Sequence, residues 1–294
     1  MSRALDTRKR LVQIYLERAR RQNVSTTLRE LVHPLRTLRH IRRIALADTQ
    51  DIPNEYPDTN RDEDIQFCAE VLQLPTATID AAFVELEEDE RFIGQLTAAY
   101  SRYRKRKLHL GRFRCWWAIV RLTRPSTIVE TGVHDGLSTA VTLNALHKNG
   151  AGRLFSIDLP SVDLPIGGEG PGWLVPEELK DRWKLYIGDA RRLLPRLVRQ
   201  IGSVDLFIHD SNHTAKHQEF EYRTVRPYLS KHGLLAGDDP IDDLMARLGQ
   251  EWSATSVILH RRLSNGRLFS SLGAIRFESA AAETRVPAYQ AQGS

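Results

Sequence analysis

Residues 128–140, IVETGVHDGLSTA, combine an acidic residue, two glycines and the start of a helical pattern. Gly132 and Gly136 allow the backbone to turn sharply and to admit a ligand without a Cβ in its way. Ser138 falls where the N–H groups of a helix start are free. The spacing is not the GxGxxG of a pyrophosphate site, and Glu130 suits a cationic ligand better than a diphosphate. The segment predicts a ligand-binding turn, with a plain strand-to-helix turn as the alternative.

Two further acids follow β-rich runs. Asp158 ends the run RLFSID, and Asp189 lies in IGDA after the next run. In open α/β sheets ligands bind at the carboxyl ends of the strands, so both acids should lie near the turn. A carboxylate at Asp158 can accept from both hydroxyls of a ribose. Asp189 can accept from an adenine amino group or, alternatively, cap the helix that follows.

A parallel sheet would bring these residues together, and the chain beyond Pro125 has the pattern of one. Short β-rich runs alternate with helical runs long enough for right-handed crossovers. Two later runs, TSVILHRRL and RLFSSLGAIRF, are joined by a Ser-Asn-Gly turn typical of an antiparallel hairpin. We therefore predict an α/β fold with a Rossmann-like seven-stranded sheet. The other predicted strands are STIVET, RLFSID, WKLYIG, VDLFIH and GLLAGD, and the helices are GLSTAVTLNALHK, ARRLLPRLVRQI and TAKHQEFEYRTVRPYLS.

The earlier part of the chain has a helical character. Apolar residues spaced by three or four trace one helix face from Leu28 to Ile44, and Pro34 kinks this helix or starts a new one. Two more helical patterns, DIQFCAEVLQL and DAAFVELEEDERFIGQLTAAYSRYRKRK, follow a loop rich in Pro, Asn and Asp. We predict an all-helical N-terminal region over residues 1–111, the α/β domain over 112–280 and a flexible tail over 281–294.

The composition is that of a folded globular protein. Of the 294 residues, 41% are hydrophobic and 27% charged, which excludes a wholly disordered chain. No run approaches the roughly 18 apolar residues of a membrane span, and MSRALDTRKR lacks the apolar core of a secretory signal. We therefore expect a cytoplasmic protein. Cys68 and Cys115 lack the spacing of a disulfide framework or a zinc site, and we expect buried, reduced thiols.

Six segments between Arg112 and Asp239 resemble, in this order, a bacterial class I methyltransferase family, methyltransferase domain 24. They are ETGVHDGLSTA, GRLFSIDLP, PGWLVPEELKDRW, GDARRLLP, VDLFIHDSNHTAKHQEFEY and GLLAGDD. The resemblance implies S-adenosylmethionine as cofactor and methyl transfer as the reaction, and it leaves the acceptor open. Under it the cofactor-binding residues are Glu130, Gly132, Gly136 and Ser138 for the methionine part, Asp158 for the ribose and Asp189 for the adenine.

A weaker resemblance extends to metal-dependent sugar O-methyltransferases, which hold a divalent ion on an aspartate after the fourth strand and an Asp-Asp pair after the fifth. Asp210, Asp238 and Asp239 match these positions, although IHDSNH departs from the acid-Gly-acid sequence typical of those enzymes. The resemblance implies Mg²⁺, which prefers oxygen ligands and acidifies a bound alcohol. The alternative is that Asp238 and Asp239 lead into the next helix and that Asp210 caps a turn.

Histidines crowd the same loop and helix. They are His209, His213 and His217, and His213 lies three residues beyond Asp210. A histidine can take a proton from an acceptor at physiological pH, with or without a metal. We predict Asp210 and His213 as catalytic residues, with surface or supporting roles as the alternative for any of the histidines.

A Gly- and Pro-rich insertion, SVDLPIGGEGPGWLVPEELKDRW, separates the second and third predicted strands. Such a segment beside a pocket can fold over the ligand as a lid. Trp173 would then supply an apolar wall to the acceptor or, alternatively, pack the loop down.

These residues predict an O-methyltransferase for a small molecule such as a sugar or natural-product intermediate. The alternative is a nucleic-acid-binding protein or nucleic-acid methyltransferase, motivated by the basic first 45 residues and by RYRKRK. HDSNH stands where a base methyltransferase has an Asn/Asp-Pro-Pro-aromatic loop, which disfavours nucleic acid as a partner. The basic helix could also rest on an anionic membrane surface, or pack on the domain or on a second subunit of a homo-oligomer.

Overall fold

The computed structural model describes residues 60–104, 108–159, 170–263, 266 and 268–277. The predicted helix from Leu28 to Ile44, the basic first 45 residues and the predicted tail over 281–294 lie outside these residues. The domain limits at 111/112 and 280/281 stay predictions. The bounds of the described elements are α1 Arg61–Leu72, α2 Thr76–Glu87, α3 Glu90–Arg104, α4 Phe113–Thr123, β1 Thr127–Thr131, α5 Leu137–Asn149, β2 Arg153–Asp158, β3 Trp183–Ile187, α6 Ala190–Ile201, β4 Val204–His209, α7 Ala215–Val225, β5 Leu229–Asp238, α8 Asp242–Glu251, β6 Thr255–Arg262 and β7 Leu268–Arg276.

Seven strands form one mixed sheet in the order β3-β2-β1-β4-β5-β7-β6. Strands β1 to β5 pair in parallel, and β7 pairs antiparallel with both β5 and β6. The predicted seven-stranded sheet and its terminal hairpin are therefore confirmed. The strand order reverses between β1 and β4, where ligands bind in sheets of this kind.

The central strands form because their apolar runs are buried on both faces of the sheet. Ile128 and Val129 in β1 and Phe207 and Ile208 in β4 have no exposed surface. Each of these pairs puts one residue into each of two cores, since neighbouring side chains of a strand point to opposite faces. Helices α1, α2, α4 and α5 contribute to one core, and α6, α7 and α8 to the other.

One predicted helix ends earlier than expected. TAKHQEFEYRTVRPYLS was predicted as a single helix, but α7 ends at Val225 and a short 3₁₀ turn follows over Arg226–Tyr228. Pro227 has no backbone N–H to continue the helical ladder, which explains the change. The last two residues of that prediction, Leu229 and Ser230, begin β5.

Helix α1 packs directly on the sheet, and α2 packs on α4. Arg261 of β6 is almost fully buried and forms ion pairs with Glu63 and Asp64 of α1. The indole of Trp117 in α4 donates to the backbone oxygen of Ala82 in α2 at 2.7 Å. This part of the helical region therefore shares its core with the α/β fold.

Two further expectations from the sequence concern the cysteines and membrane-spanning helices. Cys68 and Cys115 are both buried free thiols, as expected. No single helix among the described residues has the length and apolarity to cross a membrane. The bent pair α1 and α2 passes that test by length and composition only.

Candidate active site

The loops that follow β1 and β4 touch each other at the carboxyl edge of the sheet. The backbone N–H of Asp210 donates to the carbonyl of Thr131 at 2.7 Å. Gly132 has a φ of +88°, and a Cβ on it would stand 1.8 Å from the carbonyl oxygen of Asp210. Only glycine allows this approach, so the predicted turn at Gly132 is also the place where the two loops meet.

Glu130 lies behind the turn. Its carboxylate has no exposed surface and accepts hydrogen bonds from Ser138, Thr139 and Ser156. Burial raises its pKa to about 7, against the opposing effect of these three hydroxyls. As placed, Glu130 and Ser138 bind each other, and Glu130 supports the start of α5 instead of lining open space.

Asp158 ties the tip of β2 to the glycine turn. Its Oδ2 accepts from the backbone N–H groups of Val133 at 3.2 Å and His134 at 2.8 Å, and its Oδ1 accepts from Leu159 N–H at 2.7 Å. Burial raises its pKa, opposed by the backbone hydrogen bonds. The carboxylate thus lies at the carboxyl end of β2, as the sequence predicted, and binds the backbone of the turn.

Asp189 caps α6. Its side chain accepts from the backbone N–H of Arg191 at 3.0 Å, which is the capping role left open by the sequence. The preceding Gly188 donates its N–H to the carbonyl of Asp158 at 2.7 Å. Glu130, Asp158 and Asp189 therefore lie at the tips of the adjacent strands β1, β2 and β3.

Exposed apolar side chains flank this edge. Leu159, directly after β2, is 38% exposed, and Ile187, the last residue of β3, is 49% exposed. Apolar walls next to hydrogen-bonding groups are what the flat ring of a nucleoside requires. The residues at the β2 and β3 tips therefore fit an adenosine.

The described end of the insertion packs onto the glycine turn. Gly172 donates its backbone N–H to the carbonyl of His134 at 2.8 Å, and Leu174 donates to the carbonyl of Asp135 at 3.0 Å. The indole N–H of Trp173 donates to the Asp135 carboxylate at 2.8 Å. Trp173 thus packs the loop down, the second of its two predicted roles.

On the other side of the turn, three side chains can share one ligand. Oxygen or nitrogen atoms of Asp210, His213 and Asp238 lie within 4.8 Å of one another. Asp238 ends β5 and is 3% exposed, and its Oδ1 has no hydrogen-bond partner among the described residues. A buried carboxylate oxygen without a partner costs free energy, so the group fits a cation or a donor.

Arg112 binds the acidic pair after β5, which the sequence did not indicate. Its guanidinium lies 2.6 Å from Oδ2 of Asp238 and 3.5 Å from Oδ1 of Asp239. Asp239 adopts a left-handed φ of +45° and does not belong to the three-residue group. The predicted metal set of Asp210, Asp238 and Asp239 thus differs from the set that the structure brings together, in which His213 takes the third place.

Acidic side chains are concentrated here, at Asp210 and at the neighbouring pair Asp238 and Asp239. Burial, and then the charge of Asp238, raise the pKa of Asp210 well above its usual range. The same two causes raise the pKa of Asp239 to about 7. Arg112 opposes both shifts without cancelling them. A divalent cation is therefore compatible with the charge as well as with the donor atoms.

His213 is oriented for proton transfer or ligation. Its Nδ1 lies 3.1 Å from the carbonyl oxygen of Asp238, a contact that requires the proton to be on Nδ1. Its Nε2, 3.9 Å from Asp210 Oδ1, is then left with its lone pair. Burial, and then the electrostatic influence of His209, lower the pKa of His213 to about 4. The ring is therefore neutral at pH 7.

Sequence comparison relates this part of the chain to a known protein family. Residues 129–240 match the model of one family of methyltransferase domains, the family called methyltransferase domain 24. The chain carries a class I methyltransferase domain. The match supports the predicted S-adenosylmethionine-dependent methyltransferase. The matched part of this methyltransferase domain contains every predicted site residue from Glu130 to Asp239, whereas Arg112 lies outside it.

Solved methyltransferase structures resemble the chain at low sequence identity. The O-methyltransferase TomG from Streptomyces achromogenes, in complex with S-adenosylmethionine, is 15% identical, with 65% of this chain and 92% of TomG covered and a TM-score of 0.49. An O-methyltransferase from Bacillus cereus is also 15% identical, with 72% and 96% covered and a TM-score of 0.45. No curated protein sequence matches the chain significantly.

Proposed function

We propose that the methyltransferase domain transfers a methyl group to a hydroxyl oxygen of a small molecule such as a sugar or natural-product intermediate. The observation that carries this proposal is the position of His213. Its unprotonated Nε2 faces Asp210, whose loop contacts the glycine turn. A neutral imidazole at this place can accept the proton that an alcohol must lose on methylation.

The cofactor would bind along the tips of β1, β2 and β3. The glycine turn over residues 132–136 receives the methionine part, and Ser138 and Glu130 hold that turn from behind. Asp158 receives the ribose. Asp189 lies next to the adenine, whose ring packs between the exposed side chains of Leu159 and Ile187.

The sulfonium of the cofactor supplies an activated methyl group and a neutral leaving sulfur. The work of the chain is therefore positional, because acceptor oxygen, methyl carbon and sulfur must lie in line. The Asp210 loop, in contact with the turn at Gly132, sets the acceptor next to the cofactor. The proton of the acceptor hydroxyl passes to Nε2 of His213.

Asp210, Asp238 and His213 also fit a divalent cation. When bound, such a cation would acidify the acceptor hydroxyl. Mg²⁺ follows from the sequence resemblance, but an imidazole in the donor set suits Mn²⁺ or Zn²⁺ at least as well. Nε2 of His213 cannot ligate a cation and take a proton at the same time, so the two roles are alternatives.

The test is release of S-adenosylhomocysteine with a panel of sugars, phenols and catechols, each with EDTA, Mg²⁺ or Mn²⁺. We expect turnover with at least one hydroxyl acceptor and a loss of about 100-fold or more in Asp210→Asn and His213→Gln. His260→Gln, which changes an exposed histidine paired with Asp242, is the control and should keep full activity. Equal activity of His213→Gln and wild type on that acceptor would remove His213 from the mechanism.

A further inference from the structure

Glu221, on α7, lies at the centre of four polar side chains. Its carboxylate accepts from the hydroxyls of Thr131 at 2.6 Å and Ser211 at 3.0 Å. It also lies 2.6 Å from Nδ1 of His209 and 2.8 Å from Nε2 of His217. A carboxylate offers about four lone-pair positions, so these contacts saturate it.

The carboxylate of Glu221 is fully buried. Burial raises its pKa, but the electrostatic influence of His209 and the hydrogen bonds of His209 and His217 outweigh burial and hold the pKa below its usual range. A buried carboxylate without such partners is strongly destabilising, so the group holds together as a unit. Neither Glu221 nor its four partners belong to the three residues that can share a cation.

The partners of Glu221 surround Asp210. His209 and Ser211 are the two chain neighbours of Asp210, and both bind the same carboxylate. Thr131, a third partner, accepts the backbone N–H of Asp210 through its carbonyl. The backbone of Asp210 is therefore held on three sides, while its own side chain lies with Asp238 and His213.

His213 is held through the same group. Its ring packs edge-on against the ring of His209, with centroids 5.5 Å apart and planes at 82°. Because Glu221 binds Nδ1 of His209, it fixes the surface against which His213 packs.

We propose that Glu221 is the positioning residue of the acceptor side. It sets the orientation of Asp210 and His213 through Thr131, His209 and Ser211, and it touches neither acceptor nor cofactor. This inference rests on the proposed function only in assigning these two residues to the acceptor.

Glu221→Gln is the main variant, because its amide nitrogen donates and cannot accept from one of the four partners. Val225→Ala is a matched control: it lies one turn later on α7, is buried in the core and should lower stability without touching the group. Glu219→Gln removes a half-buried carboxylate of the same helix, paired with Arg223 and Arg247. Ser211→Ala removes one of the four contacts and serves if Glu221→Gln does not fold.

The measurement is long-range ¹H–¹⁵N NMR of histidine-labelled full-length protein, which reports the tautomer of His213 without turnover or metal. In wild type His213 should carry its proton on Nδ1 alone. In Glu221→Gln, or to a smaller degree in Ser211→Ala, that single tautomer should be lost. Affinity for S-adenosylhomocysteine, measured by calorimetry, should stay within about threefold, because the cofactor residues keep their contacts.

The two controls, Val225→Ala and Glu219→Gln, should leave the His213 spectrum unchanged. This should hold for Val225→Ala even where its melting temperature is as low as that of Glu221→Gln. An unchanged spectrum in Glu221→Gln would overturn the proposal, and so would the same change in Val225→Ala. If no hydroxyl acceptor is ever methylated, the proposed function fails while the NMR result still decides the role of Glu221.

Discussion

The carboxylate of Asp158 accepts a hydrogen bond from the backbone N–H of His134 at 2.8 Å. The acid at the tip of β2 thereby holds the loop that follows β1, so two parts of the proposed cofactor site stabilise each other. The same carboxylate keeps the turn in place and should receive the ribose. Removal of the Asp158 carboxylate should therefore weaken cofactor binding more than an equally destabilising change elsewhere in the fold.

Asp158→Ala should weaken S-adenosylhomocysteine binding about tenfold or more, since it removes a charge-assisted contact and loosens the turn. Asp205→Ala is a close control, because Asp205 also accepts from two successive backbone N–H groups, those of Ser126 and Thr127. Those groups lie at the start of β1, at the other edge of the sheet. Calorimetry should show near wild-type affinity in Asp205→Ala, and equal losses in both variants would contradict the assignment.

Gly132→Ala, compared with a control glycine, should show whether Gly132 is needed for the close contact with Asp210 or only for its positive φ. The new Cβ would meet the backbone of Asp210, so the loops after β1 and β4 must move apart. Gly150→Ala is the control, since Gly150 has a φ of +70° but no atom within 4 Å of its Cβ position. Urea unfolding should show a loss of about 1–2 kcal/mol for Gly150→Ala and a clearly larger one for Gly132→Ala. Similar losses would mean that the close contact is unimportant.

Glu130 should make stability depend on pH. Its pKa is raised from 4.5 to about 7 in the folded state, so the folded protein binds more protons between these values than the unfolded chain. The contribution of Glu130 is fully present below pH 4.5 and is lost as the pH rises through 7, by up to about 3 kcal/mol.

Glu130→Gln lacks this titration. Urea unfolding at pH 5, 6, 7 and 8 should show the stability of the variant rising relative to wild type with increasing pH. A difference that stays constant over this range would show that Glu130 does not titrate there.

A divalent cation at Asp210, His213 and Asp238 should stabilise the fold. Mn²⁺ at about 100 times its dissociation constant contributes roughly 2.7 kcal/mol, which is visible as a rise in melting temperature. Asp238→Asn should abolish the rise, and Asp243→Asn, at an exposed position at the start of α8, should keep it. No effect of Mn²⁺, Mg²⁺ or Zn²⁺ on wild type would leave His213 as the base without a metal.

Local patterns were enough to predict the sheet. The alternation of β-rich and helical runs, the Ser-Asn-Gly turn and the acids after β2 and β3 each reflect neighbours in the sequence. Strand tips meet at one edge of a parallel sheet, so the proximity of Glu130, Asp158 and Asp189 followed from order alone. The cap at Asp189 is equally local, and for that reason the sequence offered it as an alternative.

Partners far apart in the chain could not be predicted in the same way. Arg112 reaches Asp238 across 126 residues, and Thr131 reaches Glu221 across 90. The burial of Glu130 depends on Ser156, which is brought to it by the pairing of β1 with β2. No spacing rule in the sequence predicts such contacts, because they depend on which faces pack together.

A crystal structure of the chain with S-adenosylhomocysteine would locate the proposed cofactor site. We expect the nucleoside at the tips of β1, β2 and β3, with its ribose on Asp158 and its sulfur directed toward Asp210 and His213. A nucleoside bound anywhere else, such as in the cavity of about 310 Å³ that Arg153, Lys184 and Tyr186 help to line, would contradict the proposed site.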